Sequence, residues 1–256
     1  GGGTDSLRGD SSDSLIVGPS GHAPENPGEG GGNVVDGILT VTLPAVGGSF
    51  NFLVAAGQLQ VTPSAGDTPL VDEAFAGISD IVINGGPGSD VVVLDASLTA
   101  LTGSLVLNGG TGSDSLDSSA YTGRVVFNGG DGDDTFLGGS GNDTANGGAG
   151  NDSIFTGAGT DLIHAGIGDD FVDAGADDDT VFGENGDDVL IGGAGDDILN
   201  GNGGSDTITG EDGDDKLLGG ADADSLDGGL GDDTVRGQGG DLDIAIGGGG
   251  IDVVVP

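Results

Sequence analysis

The feature that most constrains this chain is a nine-residue pattern that runs through twelve consecutive units, from Gly129 to Arg236, without a change of register. The first, second and fourth positions of the unit are mostly glycine, and the eighth position is apolar in every unit. A carboxylate and an apolar residue that keep the same period indicate that metal binding and core formation arise from one repeat. The sixth position is always aspartate: Asp134, Asp143, Asp152, Asp161, Asp170, Asp179, Asp188, Asp197, Asp206, Asp215, Asp224 and Asp233.

The pattern resembles that of the RTX (repeats-in-toxin) family, G-G-x-G-x-D-x-U-x, in which U is large and apolar. Residues 192–200, GGAGDDILN, fit at every fixed position. The resemblance implies an all-β fold, a right-handed parallel β-roll or β-helix solenoid with two short strands and two turns in each coil of 18 residues. It also implies Ca²⁺ ions, roughly 12–14 of them at one per stacked pair of turns, held between turns that lie one above the next.

The residue types suit calcium chemistry. Ca²⁺ takes oxygen ligands from carboxylates and main-chain carbonyls, and glycine lets a tight turn enter positive φ and present several carbonyls. With 18 residues per coil, alternate units stack. One predicted ladder holds Asp134, Asp152, Asp170, Asp188, Asp206 and Asp224, and the other holds Asp143, Asp161, Asp179, Asp197, Asp215 and Asp233.

The charge of the chain supports a metal-filled stack over a disordered acidic tract. Sixty glycines in 256 residues and a net charge of −40 would normally favour disorder, and we expect disorder when calcium is absent. Residues 129–255 hold 30 acidic residues against Lys216 and Arg236, a net charge of −28. About 12–14 divalent cations would nearly cancel that charge.

Several units depart from the pattern, and we expect weaker or differently shaped loops there. Asparagine and aspartate tolerate the left-handed region better than other residues do. After Arg236 one residue is inserted, and the aspartates continue as Asp243 and Asp252. The departures include Asp177 and Asp222 at the fourth position, Glu184 and Glu211 at the second, and Thr156, Ala165 and Ala174 at the first.

Five segments are predicted along the chain. Residues 129–256 form the β-roll, and residues 78–128 form wider coils with calcium-type turns on one side, where Asp90 and Asp114 extend the first ladder. Residues 34–77 contain alternating strands at 38–43, 50–54 and 58–62, and are an N-terminal β cap or the first wide coils. Residues 18–33 are a Gly/Pro-rich linker. Residues 1–17 look like two degenerate repeat units, with Asp5 and Asp13 at the aspartate positions.

The sequence offers no catalytic constellation, and we predict that the chain is not an enzyme. It contains no H-E-x-x-H and no G-x-S-x-G motif. His22 and His164 are predicted to be ordinary surface residues. With no cysteine there is no disulfide framework, and no apolar run reaches the length of a membrane span. A charge of −40 should repel nucleic acid and anionic membranes.

We therefore expect a calcium-stabilised structural protein located outside the cell or on a bacterial cell surface. It would be a unit of an extracellular filament, surface layer or adhesin that associates end to end with its own copies. The alternative is the C-terminal calcium-folding module of a type I-secreted enzyme or toxin. The chain is expected to be a fragment, a processed product or one unit of something larger.

Overall fold

In the computed structural model the described residues are 15–18, 30–35, 38–43, 48–55, 58–63, 71–74, 78–101, 103–239 and 243–255. They form two long sheets of short strands that stack as a parallel β-solenoid. This confirms the predicted all-β solenoid fold. Within the described residues no helix has the length and hydropathy needed to cross a membrane.

Six strands precede the first calcium-type turn. They overlap the predicted strands at 38–43, 50–54 and 58–62. Their bounds are β1 (Leu15–Gly18), β2 (Gly30–Val35), β3 (Ile38–Thr42), β4 (Gly48–Ala55), β5 (Gln58–Pro63) and β6 (Val71–Ala74).

Wider coils follow, and one of their longer turns contains a 3₁₀ helix (Ala96–Ala100). The strands of these coils are β7 (Asp80–Pro87), β8 (Asp90–Leu94), β9 (Leu105–Thr111), β10 (Ser115–Asp117), β11 (Val125–Asp131) and β12 (Thr135–Leu137).

The regular coils contribute one strand from each nine-residue unit. These are β13 (Thr144–Ala149), β14 (Ser153–Ala158), β15 (Leu162–Ile167), β16 (Phe171–Ala176), β17 (Thr180–Asn185), β18 (Val189–Ala194), β19 (Ile198–Gly203), β20 (Thr207–Asp212), β21 (Lys216–Ala221), β22 (Ser225–Leu230) and β23 (Thr234–Gln238). Two short strands end the solenoid: β24 (Ile244–Ile246) and β25 (Val253–Val255).

The strands alternate between two sheets. Sheet A has 13 strands in the order β1-β2-β3-β7-β9-β11-β13-β15-β17-β19-β21-β23-β25, and sheet B has 12 in the order β24-β22-β20-β18-β16-β14-β12-β10-β8-β4-β5-β6. In the regular coils each residue pairs with the residue 18 positions later, as Val172 does with Leu190. The 18-residue coil is therefore confirmed.

Antiparallel strands end the solenoid on its N-terminal side. β3 and β4 pair in parallel with β7 and β8, so they form a first coil. β2 then adds antiparallel to β3, and β5 and β6 add antiparallel to β4 and to each other. β1, within the segment predicted to be a degenerate repeat, pairs with β2. Asp5, Asp13, most of the predicted linker and Asp241 lie outside the described residues.

The core is one continuous cluster of buried apolar side chains between the two sheets, and both sheets contribute to it. The eighth-position residues from Phe136 to Val235 are at most 1% exposed, because alternation along each strand turns every second side chain inward. At the transition from wide to regular coils, Phe127 stacks on Phe136 with ring centroids 5.1 Å apart. Tyr121 is buried in the longer turn that precedes β11.

Candidate metal centre

Each sixth-position aspartate lies at the end of a turn, immediately before a strand begins. Asp188 is representative, because β18 begins at Val189. Gly186 has a φ of +138°, which the turn requires and which glycine adopts most easily. The main-chain carbonyl of Asp188 accepts a hydrogen bond from the N–H of Thr207 in the next coil, at 2.8 Å. The backbone of the aspartate is therefore held between neighbouring coils.

The side chains form two ladders of hydrogen bonds that run along the solenoid. In each step, Oδ1 of one aspartate accepts from the main-chain N–H of the aspartate one coil earlier; the distances at Asp152 and Asp170 are 2.7 Å and 2.7 Å. All sixteen sequence-predicted aspartates fall into these ladders. The first holds Asp90, Asp114, Asp134, Asp152, Asp170, Asp188, Asp206, Asp224 and Asp243. The second holds Asp143, Asp161, Asp179, Asp197, Asp215, Asp233 and Asp252.

The other carboxylate oxygen is buried and has no donor. Residues Asp90 to Asp233 of the ladders are at most 2% exposed, whereas Asp243 and Asp252 in the last coil are half-buried. A buried acceptor without a partner loses its hydration and gains nothing in return. Oδ2 has no hydrogen-bond partner among the described residues at Asp114, Asp134, Asp152, Asp170, Asp179, Asp188, Asp197, Asp206, Asp215, Asp224 and Asp233.

These bare oxygens converge with main-chain carbonyls at the first position of the unit. A Cβ placed on Gly228 would lie 2.5 Å from Oδ2 of Asp233 and 2.5 Å from the carbonyl oxygen of Gly247 in the next coil. The same pairing of a carboxylate oxygen with the next coil's carbonyl surrounds Gly129, Gly147, Gly201, Gly210 and Gly219. Two acceptors that face one small space repel each other unless a proton or a cation lies between them.

Burial raises the pKa of the ladder carboxyls. Removal from water is the largest cause, and neighbouring carboxylates add to it, while the N–H of the preceding aspartate opposes it. The pKa rises to about 8 at Asp179, to about 7 at Asp197 and to about 6 at Asp188. At neutral pH an empty stack therefore holds carboxyls that are unstable in their charged form.

The donor set fits a hard cation such as Ca²⁺. It consists of carboxylate and carbonyl oxygens, which are the ligands that Ca²⁺ prefers. Among the described residues no three carboxylate or imidazole side chains converge on one point, because each ladder supplies one aspartate per coil. Main-chain carbonyls would have to complete the coordination of any ion bound between two coils.

In the wider coils the second ladder has no aspartate. Val125, Leu105 and Ile81 occupy successive positions above Asp143, and all three are buried. The N–H of Val125 donates to Oδ1 of Asp143 at 2.8 Å. Apolar side chains therefore occupy these positions in place of carboxylates, and only the first ladder continues into these coils, through Asp114 and Asp90.

Three consecutive units have a Cβ at the first position, where most units have glycine. Thr156, Ala165 and Ala174 are all buried at 0% exposure. Thr156 Oγ1 donates to the carbonyl oxygen of Ala174 at 2.8 Å. That carbonyl therefore already has a donor, so this loop differs from its glycine-containing neighbours.

Sequence reasoning missed a second, exposed row of side-chain acceptors at the fifth position. Asp187 Oδ1 accepts from the N–H of Ser205 in the next coil at 2.7 Å, and Asp196 and Asp214 repeat the contact. The recurrence of acidic residues at the fifth position of the unit could have revealed this row from the sequence.

His164 is half-exposed, and its Nδ1 lies 2.9 Å from Oε1 of Glu184.

A family model described as the RTX calcium-binding nonapeptide repeat (4 copies) matches the chain over residues 108–145, 128–163, 137–172, 173–208, 209–241 and 218–254. No curated protein matches the chain significantly. The matched residues make up more than half of the sequence, and they coincide with the coils that carry the two aspartate ladders. The chain belongs to the family of RTX calcium-binding repeat proteins.

Proposed function

We propose that the chain is a secreted, calcium-stabilised structural protein that serves as a unit of an extracellular filament, surface layer or adhesin. The observation that carries the proposal is the stack of buried, donor-free carboxylate oxygens. Repeats of this family form a structural calcium-binding fold that is not catalytic by itself, and they are typical of secreted proteins.

In this proposal each Ca²⁺ lies between two neighbouring turns of one ladder. Oδ2 of the sixth-position aspartates and the carbonyl oxygens of the first-position residues would bind it. The first ladder has eight inter-coil steps and the second has six, since they contain nine and seven aspartates. The expected load is about 12–14 ions, one for each step.

Calcium binding would be coupled to folding. Without the metal, buried carboxylates repel one another and have no donor for Oδ2, so the free energy of metal binding becomes free energy of folding. A protein that meets calcium only outside the cell would then fold only after export. This behaviour suits a structural role and also suits the alternative, a calcium-folding module of a type I-secreted enzyme or toxin.

End-to-end association is the finer part of the proposal. Among the described residues, β25 and β24 are the outermost strands of sheets A and B at one end. Ile244 in β24 is 60% exposed, and Ile251 between the two strands is 81% exposed. Edge strands with exposed apolar residues favour pairing with another chain. β1 already pairs within its own sheet, so a connecting role would belong to residues 1–14 of a neighbouring copy, outside the described residues.

Two measurements test the proposed function: the number of calcium ions bound per chain, and whether the chains form polymers in calcium. Metal analysis after dialysis in calcium should give about 12–14 ions per chain if each inter-coil step binds one. Electron microscopy in millimolar calcium should show polymers, and deletion of residues 1–14 should shorten them. A count of one or two ions would refute the stacked sites, whereas a full count with single particles would favour the secreted-module alternative.

A further inference from the structure

The outward faces of the two sheets carry opposite charges. We define face A as the outward side chains of the seventh and ninth positions on sheet A from β7 onward, and face B as the equivalent side chains on sheet B. Face A contains the basic residues Lys216 and Arg236 and also His164, with no carboxylate at these positions. Face B contains Asp117, Asp173 and Asp227, with no basic residue.

The basic groups of face A are free to meet a partner. Lys216 and Arg236 are exposed and form no ion pair with any described residue. The guanidinium of Arg124 extends over the same face, where it donates to Thr144 Oγ1 at 3.3 Å. Within the described part of the chain, one carboxylate at the margin of face A pairs with a side chain of that face: Glu184 lies against His164.

Each face also has an apolar centre, and the two centres lie in the same coils. On face A, Leu162 is 38% and Ile198 is 41% exposed. On face B, Phe155 is 36% and Val189 is 37% exposed. Protein interfaces commonly have an apolar centre with polar groups around it.

The aromatic rings at these centres are already ordered by stacking. Phe155 packs against Phe171 with centroids 5.4 Å apart on face B. On face A, His164 stacks on Phe182 at 4.9 Å with an angle of 16° between the rings. Pre-ordered rings lose little side-chain entropy on association.

We propose that face A of one copy packs side by side against face B of a second copy. Opposite charges on two faces of one chain are complementary between copies, so the partner with the required chemistry is the chain itself. The contact is heterologous, because different surfaces meet, and it leaves one face of each copy free for the next. Repetition would produce a layer of solenoids, perpendicular to any end-to-end contact.

This lateral contact rests on the proposed calcium loading. The empty chain carries a net charge of −40, and two such chains repel each other strongly. Bound calcium removes most of the charge of the repeat while the charges on faces A and B remain. Lateral association should therefore require calcium, and it should weaken as salt screens the attraction between the faces.

The test uses two charge-reversed variants of the full chain, Lys216→Glu/Arg236→Glu and Asp173→Lys/Asp227→Lys. Sedimentation velocity in millimolar calcium should show concentration-dependent association of the parent chain, weakened at least about tenfold in each variant alone. In the first variant both faces are acidic, and in the second both are basic. An equimolar mixture of the two should associate again, because each acidic face then meets a basic one.

Circular dichroism of the same samples separates the two proposals. If calcium fails to fold the parent chain, the proposed function fails. If the chain folds and remains monomeric, or if the mixture does not restore association, the lateral contact is refuted. Association that is lost on deletion of residues 1–14 and unaffected by the charge reversals would be end to end, and would also refute it.

Discussion

The main-chain N–H of Asp170 donates a hydrogen bond to Oδ1 of Asp188 at 2.9 Å, although the two residues are 18 positions apart. The bond gives Asp188 a fixed orientation and leaves Oδ2 buried with no donor. One oxygen of the carboxylate therefore links neighbouring coils, and the other is available to a cation.

Replacing Asp188 with asparagine should weaken calcium binding more than the same change at Asp187. Asp188→Asn retains an oxygen that can accept the Asp170 N–H but removes the charge. We expect the calcium concentration at half-folding to rise about tenfold, equivalent to about 1.4 kcal/mol. Asp187 is exposed, and Asp187→Asn retains its acceptor for Ser205, so its effect should stay within about twofold.

A calcium titration followed by far-UV circular dichroism measures both variants. Equal effects at the two positions would contradict the assignment of the calcium ligand to the sixth position of the unit rather than the fifth. Metal-free samples of both variants serve as the control, since neither change should alter the unfolded chain.

The metal-free protein should become less stable as pH rises. Burial raises the folded-state pKa of the ladder carboxyls above the ordinary aspartate value of 3.8, to about 6 at Asp188, about 7 at Asp197 and about 8 at Asp179. A raised carboxyl pKa contributes stability that is fully present below about pH 4 and is lost as pH rises through about 6 to 8. Metal-free protein should therefore hold more β structure at pH 5 than at pH 8.

Calcium should reverse this dependence, because a ligand carboxyl must lose its proton to bind metal. Far-UV circular dichroism at pH 5 and pH 8, with metal removed by dialysis and then with calcium added, compares the β content of the two states. More β structure at pH 8 than at pH 5 in the metal-free protein would contradict the burial of uncompensated carboxyls.

Adjacent glycines in one turn should respond differently to alanine. Gly204 has a φ of +126°, and a Cβ there would approach the carbonyl oxygen of Gly186, whereas a Cβ on Gly203 would meet nothing closer than 3.6 Å. Gly204→Ala should lower the free energy of unfolding in calcium by about 1–3 kcal/mol, and Gly203→Ala should change it by less than about 0.5 kcal/mol. Similar unfolding midpoints for the two variants would refute the turn geometry.

The periodic part of the fold was predictable because one phase of the repeat fixes both the core and the turns. Leu190 at the eighth position is expected to point inward and Asp188 at the sixth to precede the strand. The resemblance to the RTX family implies the coil of 18 residues, and that coil places alternate aspartates in two ladders. The insertion after Arg236 was also readable, since it lengthens the steps to Asp243 and Asp252 to 19 residues.

Pairing direction at the N-terminal end was not predictable from the sequence. Apolar and polar residues alternate in the segments that form β3, β4 and β5, and this alternation predicts strands. The same alternation occurs in strands with parallel partners and in strands with antiparallel partners.

The central claim is that calcium folds the solenoid by occupying the aspartate ladders. Far-UV circular dichroism of the full chain in chelator, followed by addition of millimolar calcium, tests it most directly. We predict a disordered spectrum in chelator and a cooperative change to a β spectrum as calcium is added. A β spectrum that is already present in chelator at neutral pH and does not change with calcium would contradict the claim.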